Sequence, residues 1–319
     1  MEFHAFLVSS GIPAMARGAE KRVDDIPQRS VNRVPMKDAP SIDERGPSGQ
    51  KESPTPVWYD RPAWYDIVHQ RGSAREAREL DTLARKHART RFYRSRDGTG
   101  AAKPVWLEPA CGTGRLLRAG ASLGARVVGI DSNPNMVRYA RRSLERRGLP
   151  GTVIEARMED FAIRERADLA LCPHNSIRHL ETDEAVLFHL RCVNASLKQG
   201  GTYVIGLGTA HYGQEEDAED VWSARRGRLR VTQVVQYLPA SPRTRRERVV
   251  SVLHVESPAG SRCVEMAYDL RAYSRAEWLG LIERSAMALA GEYDEVGEPV
   301  PEGPGYRQWV LMRREDAGE

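Results

Sequence analysis

Apolar and polar positions alternate along this chain in two rhythms. Compact apolar runs occur at Val105–Glu108, Arg126–Asp131, Thr152–Glu155, Asp168–Cys172 and Thr202–Leu207. Runs of this length and content predict strands buried on both faces. Between them the spacing becomes helical. Met136, Ala140, Ser143 and Leu144 share one face of a helix that Pro134 opens as its first residue. Val186, Leu190, Val193 and Leu197 share another, capped by Thr182, and Gly200-Gly201 is expected to end it. Upstream, Ser73 to His87 places Ala77, Leu80, Leu83 and Ala84 on one stripe. Strands alternating with helices predict an α/β fold, a doubly wound parallel sheet covered on both faces.

Around Trp222 the rhythm changes to period two. Arg230–Leu238, Val249–Glu256 and Cys263–Arg271 read as half-buried antiparallel strands. Ser274 and Glu277 then form a capping-box pattern ahead of Trp278, Leu281 and Ile282, and Gln308–Arg313 reads as a last strand. An antiparallel β insertion therefore precedes the final helix.

Composition narrows the class. The chain has 319 residues, 40% hydrophobic and 29% charged, with a net charge of +4. That is a globular, mildly basic protein. Arginine runs at Arg225-Arg226-Gly227-Arg228 and Arg243-Thr244-Arg245-Arg246 lack interleaved aromatics, so solvated hairpin ends are favoured over a nucleic-acid surface. The four cysteines, Cys111, Cys172, Cys192 and Cys263, show no metal-ligand spacing, and no metal site is expected. They fit a reduced, cytoplasmic protein. No apolar run approaches a membrane span, and Met1 to Met15 lacks the basic start and long apolar core of a secretion signal. Residues 16–54 are too poor in large apolar side chains to offset their ordering entropy, so disorder is expected there.

The most informative segment is Glu108-Pro109-Ala110-Cys111-Gly112-Thr113-Gly114, a strand end followed by a turn of small residues that opens a helix. Only small side chains let backbone approach a ligand closely, and the helix start offers unpaired N–H groups. Asp131 closes the next strand, where an acid can accept hydrogen bonds from a ribose diol. A dinucleotide site wants a third glycine at position 117, which is Leu117. A phosphate loop wants Gly-Lys-Ser/Thr, which is missing. Glu108 would repel a pyrophosphate and suits a ligand with ammonium and sulfonium charge.

These residues, with Val127-Val128-Gly129-Ile130-Asp131-Ser132-Asn133-Pro134-Asn135-Met136, resemble motif I and its successor in class I S-adenosylmethionine-dependent methyltransferases. Ala110 stands where the usual pattern has its first glycine. Arg157-Met158-Glu159-Asp160-Phe161 resembles the following motif, and Cys172-Pro173-His174-Asn175-Ser176-Ile177-Arg178-His179-Leu180 resembles the Asn-Ser-x-x-His-Leu loop of small-molecule methyltransferases. The resemblance is strong over 104–207 and weaker over the rest of 57–313.

It implies a seven-stranded Rossmann-like sheet and the cofactor S-adenosylmethionine, released as S-adenosylhomocysteine. Cofactor residues would be Glu108, Ala110, Gly112, Gly114, Asp131, Ser132, Met136, Met158, Asp160, Phe161 and Pro173, with Arg115 a further candidate for the cofactor carboxylate. His174 and His179 are candidate bases; Tyr65, Asn175, Arg271 and Tyr273 would border the acceptor. The implied divisions are a tail (1–56), a helical lid (57–102), the cofactor core (103–215), the β insertion as acceptor cap (216–272) and a closing helix with strands (273–315). The expected reaction moves a methyl group to an O or N atom of a small molecule, with no membrane or nucleic-acid partner and with homodimerisation open. Two alternatives stay open: a protein or RNA methyltransferase using the arginine runs, and a non-catalytic S-adenosylmethionine-binding module.

Overall fold

A computed structural model describes residues 58–94 and 103–314. The tail expected at 1–56 lies outside the described residues.

Seven strands form the main sheet: β1 (Val105–Pro109), β2 (Arg126–Asp131), β3 (Gly151–Glu155), β4 (Ala167–Cys172), β5 (Leu197–Thr209), β10 (Met287–Tyr293) and β11 (Gly305–Arg313). Their order is β10-β11-β5-β4-β1-β2-β3. The first five run parallel, while β11 and β10 add antiparallel. The order reverses between β1 and β4, and such a switch point is where doubly wound folds open a crevice at the strands' carboxyl ends. β1 lies there with every residue buried.

Each sheet face has its own core. On one, Val186, Leu190 and Val193 of α6 (Asp183–Ser196) and Trp278, Leu281 and Ile282 of α7 (Arg275–Arg284) pack against Leu107, Ala170 and Ile205. On the other lie Ala77, Leu80, Leu83 and Ala84 of α2 (Ser73–His87), Leu116 and Leu117 of α4 (Arg115–Ser122), and Val137, Ala140 and Leu144 of α5 (Pro134–Glu145). The stripes expected from spacing are the faces that are buried. Both expected caps form: Thr182 accepts from Ala185 N–H, and Ser274 with Glu277 makes the full capping box.

Two expectations need correction. Gly200-Gly201 does not end α6, which stops at Ser196; the pair lies inside β5. Gly200 takes φ 72°, and a Cβ there would come within 2.8 Å of Arg89. The glycine serves this close approach, in which Gly200 O accepts from Arg89 N–H. The last strand is also longer than expected, since β11 begins at Gly305 rather than Gln308, while β10 completes the expected seven.

The insertion is a second sheet of four antiparallel strands, β6 (Ala218–Arg226), β7 (Leu229–Leu238), β8 (Arg246–Ser257) and β9 (Gly260–Arg271). Its inner face packs Val231, Leu253, Val255 and Met266 against Trp58 and against Ile67 and Val68 of α1 (Pro62–His69). One carboxylate ties these parts together. Asp66, 4% exposed, accepts from Arg118 of α4, Tyr139 of α5 and Arg226 of β6. Arg118, itself buried, also donates to Thr113 O at 2.6 Å. Burial works against ionised Asp66, but Arg118, Arg226 and Tyr139 hold its carboxyl below the ordinary value.

Asp66→Ala should therefore destabilise the protein by about 3–5 kcal/mol, because it strands a buried guanidinium. Urea unfolding of the two proteins checks this, and Asp66→Ala with Arg118→Met should recover much of the loss. Since the folded pKa is depressed, the wild-type contribution is present at neutral pH and fades as pH falls below about 4.

Candidate active site

The turn after β1 has an unusual backbone. Ala110, Gly112 and Gly114 have φ of 56°, 53° and 71°. The left-handed region costs glycine little and alanine about 1 kcal/mol, so Ala110 is held there by its surroundings. Asp131 supplies part of that hold. Its Oδ2 accepts from Gly112 N–H at 2.7 Å and its Oδ1 from Asn133 N–H at 2.9 Å. Cys111 N–H donates to Ile130 O. Gly114 caps α4 without a side chain, so the first N–H groups of α4 face the turn. Leu117, where a dinucleotide site has glycine, fits because β2 has Gly129: a Cβ there would come within 2.5 Å of Leu117 and 2.7 Å of Cys111 Sγ.

Beneath the turn lies Glu108, 5% exposed, with Oε2 buried and without a hydrogen-bond partner among the described residues. Burial pushes its carboxyl up to about 8; Arg115 opposes this, while Glu76 and Asp131 add to it. Arg115 does not face solvent. Its guanidinium is buried and forks onto Glu76 of α2 at 2.5 and 3.2 Å. Burial disfavours the Glu76 carboxylate, but Arg115 and His174 hold it far below its ordinary value.

The other expected acid, Asp160, is exposed on a short bridge with Arg157 after β3, with Met158 and Phe161 half-buried beside it. This loop is held from below. His189 Nδ1 donates to Met158 O at 2.8 Å, which leaves Nε2 to accept from Tyr203 OH at 2.6 Å. Burial pushes His189 down to about 4, so the ring is neutral and structural, as expected. Met136 is 1% exposed and packs as core, whereas Ser132 stands open beside Asp131.

The loop after β4 brings the candidate bases to the crevice. Pro173 is buried, and His174 and Asn175 both take left-handed φ, 55° and 60°. Tyr306 OH accepts from His174 N–H, while Asn175 donates its N–H to Gly206 O and accepts from Gly208 N–H through Oδ1. Asn175 thus anchors the loop. Gly206 is required for this approach, since a Cβ there would lie 2.0 Å from Tyr306 OH. His174 Nε2 meets Glu76 Oε1 at 2.6 Å. His179 ends a 3₁₀ turn (Ser176–His179), where it stacks on Tyr268 at 5.8 Å and faces Tyr59 OH at 3.3 Å. His179 keeps surface open to solvent, yet protein walls its remaining sides, and that desolvation pushes it down to about 4.

Aromatic side chains of the N-terminal segment and insertion complete the enclosure. Tyr65 lies 3.9 Å from where a Gly112 Cβ would be and 4.5 Å from the His69 ring; Trp58 and Tyr59 flank it, and Trp222 reaches His69 at 6.3 Å. Tyr59, Tyr65, His69 and Tyr268 all keep partial exposure while protein surrounds them, the mark of residues lining a cleft. Two expected acceptor residues are not part of this lining. Arg271 commits its guanidinium to Asp183 and Glu181 O, and Tyr273 is wholly buried in the core beside it. Glu76 and Tyr59 were not singled out from sequence. Glu76 sits on the polar side of an ordinary amphipathic helix, and only the fold turns it toward Arg115 and His174.

The segment 107–201 matches the family model described as a methyltransferase domain. The chain is 33% identical over 119 residues to dTDP-3-amino-3,6-dideoxy-alpha-D-glucopyranose N,N-dimethyltransferase of Streptomyces fradiae, covering 36% of this chain and 40% of that one. It is 29% identical over 168 residues to ubiquinone biosynthesis O-methyltransferase of a Methylobacterium species, covering 51% and 63%. The match thus spans less than two thirds of either relative. A solved sugar N-methyltransferase from a Streptoalloteichus species superposes with a TM-score of 0.61 at 20% identity, covering 86% of this chain and all of that one, which is a likeness of fold. Residues 107–201 thus match a methyltransferase domain, and the chain shares its fold with a solved sugar N-methyltransferase.

Proposed function

We propose that this protein transfers a methyl group from S-adenosylmethionine to a nitrogen or oxygen of a small molecule held between the Tyr59–Tyr65 segment and the β insertion. The observation that carries the reading is Glu108: a buried carboxyl group whose Oε2 has no hydrogen-bond partner among the described residues, beneath a turn of left-handed residues. Such a group is costly until a cation approaches it, and the methionine end of the donor carries one. The turn's N–H groups and Asp131 would hold the ribose side, Asp160 the adenine amino group, with Met158 and Phe161 against the ring. The named relatives act on a sugar amine and in ubiquinone biosynthesis, which supports a small acceptor.

The donor supplies a methyl group on a sulfonium, already a good leaving group. The chain's part is then positioning and exclusion of water. The left-handed pair His174-Asn175 fixes the loop beside the methyl position, and the aromatic walls desolvate it. His179, pushed down to about 4 by its surroundings, is a weak base. It serves better as a neutral partner to Tyr59 OH. Among the described residues no helix is long and apolar enough to cross a membrane.

Calorimetry with S-adenosylmethionine, S-adenosylhomocysteine and NAD tests the donor. The first two should bind and NAD should not; the reverse result sinks the reading. Affinity for S-adenosylmethionine should rise with pH from 6 to 8, by up to about tenfold per unit, as Glu108 loses its proton. The sign follows from its raised pKa: below about 8 the ligand must first displace that proton. Glu108→Gln should abolish the slope, and a slope that survives would remove Glu108 from the site. His179→Asn should lower kcat by less than about tenfold, against the 10²–10⁴ of a lost general base. Steady-state rates and their pH profile decide between the two.

A further inference from the structure

One histidine at the crevice is held by a chain of charges. His174 brings its Nε2 within 2.6 Å of Glu76 Oε1. The same Oε1 accepts from Arg115 Nη2 at 3.2 Å, and Glu76 Oε2 accepts from Arg115 Nη1 at 2.5 Å. Ser73 Oγ accepts a further bond from Arg115. Glu76 lies on α2, Arg115 on α4 and His174 in the loop after β4, so only the fold assembles them. Glu76 is ionised, because Arg115 and His174 outweigh the effect of its burial. An ionised carboxylate only accepts, so His174 donates from Nε2, and Nδ1 becomes the nitrogen that takes a proton. The other histidines here stand differently. His179 meets a phenol, and His69 Nε2 is buried without a hydrogen-bond partner among the described residues. Burial pushes them down to about 4 and about 3.

The placement of His174 is over-determined. Its left-handed backbone is held by the Tyr306 hydroxyl and by the two bonds of Asn175 to β5. Strained backbone of this kind persists only where the surroundings enforce it. The His174 side chain nevertheless keeps 34% of its surface exposed, so an acceptor can reach it. Glu108, the group that awaits the donor's cation, feels both Arg115 and Glu76, so the cluster borders the donor site.

We propose that Arg115 and Glu76 hold His174 as the general base of methyl transfer, with Nδ1 taking the acceptor's proton. The assignment rests on the methyltransferase reading of the crevice and adds the residue that carries the proton; Glu76 and Arg115 are positioning residues. As a lone pair of the acceptor's O or N forms its bond to the methyl carbon, the carbon–sulfur bond breaks and its electrons stay on sulfur. The acceptor's proton passes to His174 Nδ1 and from there to water. The positive charge lost at sulfur thus reappears on the imidazolium, which Glu76 stabilises through Nε2–H. Before transfer the sulfonium opposes protonation of His174; afterwards that opposition is gone. A contact that only latched α2 to the loop would not sense charge at the methyl position.

The test needs no turnover. Nitrogen NMR follows the His174 imidazole through pH, its signal identified by its loss in His174→Asn. Asparagine tolerates left-handed backbone, and this variant leaves the Arg115–Glu76 pair in place. The charged and titratable groups around His174 are Glu76, Arg115, His69, Glu295 and the Tyr306 hydroxyl. They are common to the S-adenosylmethionine and S-adenosylhomocysteine complexes, so a difference between the two isolates the sulfonium charge. The neutral ring should carry its proton on Nε2. Its midpoint should lie at least about 0.5 pH lower with S-adenosylmethionine bound than with S-adenosylhomocysteine, as for a like charge a few ångströms away. Glu76→Gln should lower the midpoint in the S-adenosylhomocysteine complex by about 1 pH or more. If that variant does not fold, judged by loss of S-adenosylhomocysteine binding, the two wild-type readouts decide. A neutral ring protonated at Nδ1, equal midpoints in the two complexes, or an unchanged midpoint in folded Glu76→Gln overturns the proposal. If neither ligand binds wild type, the donor reading fails instead.

Discussion

The architecture of the site depends on Asp131. Its two oxygens accept one backbone N–H from the turn after β1 and one from the start of the loop before α5. This ties the ends of the two central strands into a single piece. Ala110 would otherwise relax from a conformation that costs an L-residue about 1 kcal/mol. With the turn pinned, Gly114 opens α4 with its N–H groups facing the crevice, and Leu117 drops into the space left by Gly129. A polar contact at the sheet end thereby sets the packing beneath it. Burial raises the Asp131 carboxyl and the two N–H bonds lower it, so its ionised form depends on the geometry that it creates.

The buried carboxylates around the crevice divide by what answers them. Asp66 and Glu76 are met by guanidinium groups and held ionised. They pin α1 and α2 against α4 and the insertion, so the helices that close over the turn are fastened by charge as well as by apolar contact. Glu108 differs: its Oε2 is buried with no hydrogen-bond partner among the described residues, and Arg115 acts on it without a hydrogen bond. The distinction follows from the partners each acid has.

Much of this was legible in the sequence because it rests on local rules. Strand and helix positions, the stripe on α2, the Thr182 and Ser274 caps and the turn 110–114 follow from spacing and from what small or capping residues can do. β6 was less legible, since Glu219, Asp220, Arg225 and Arg226 interrupt its apolar positions. The insertion's sheet was therefore read as three strands rather than four. Gly200-Gly201 misled because a glycine pair after a helix is the usual stop, and only the fold brings Arg89 against it. Arg271 misled in a different way. Its position at a strand end was right, but Asp183, the first residue of α6, comes to it only through tertiary packing. Pairings between distant segments carry no local signature.

The same limit separates the two sides of the crevice. The turn from Glu108 to Asp131 is built on one βαβ unit, where sequence neighbours are also spatial neighbours. The aromatic wall is assembled from four separate segments: the stretch before α2, the loop after β4, and the strands carrying Trp222 and Tyr268. No short motif can encode such an arrangement. His179 lies on that side, stacked on Tyr268 of β9 and facing Tyr59 OH, contacts between segments far apart in sequence.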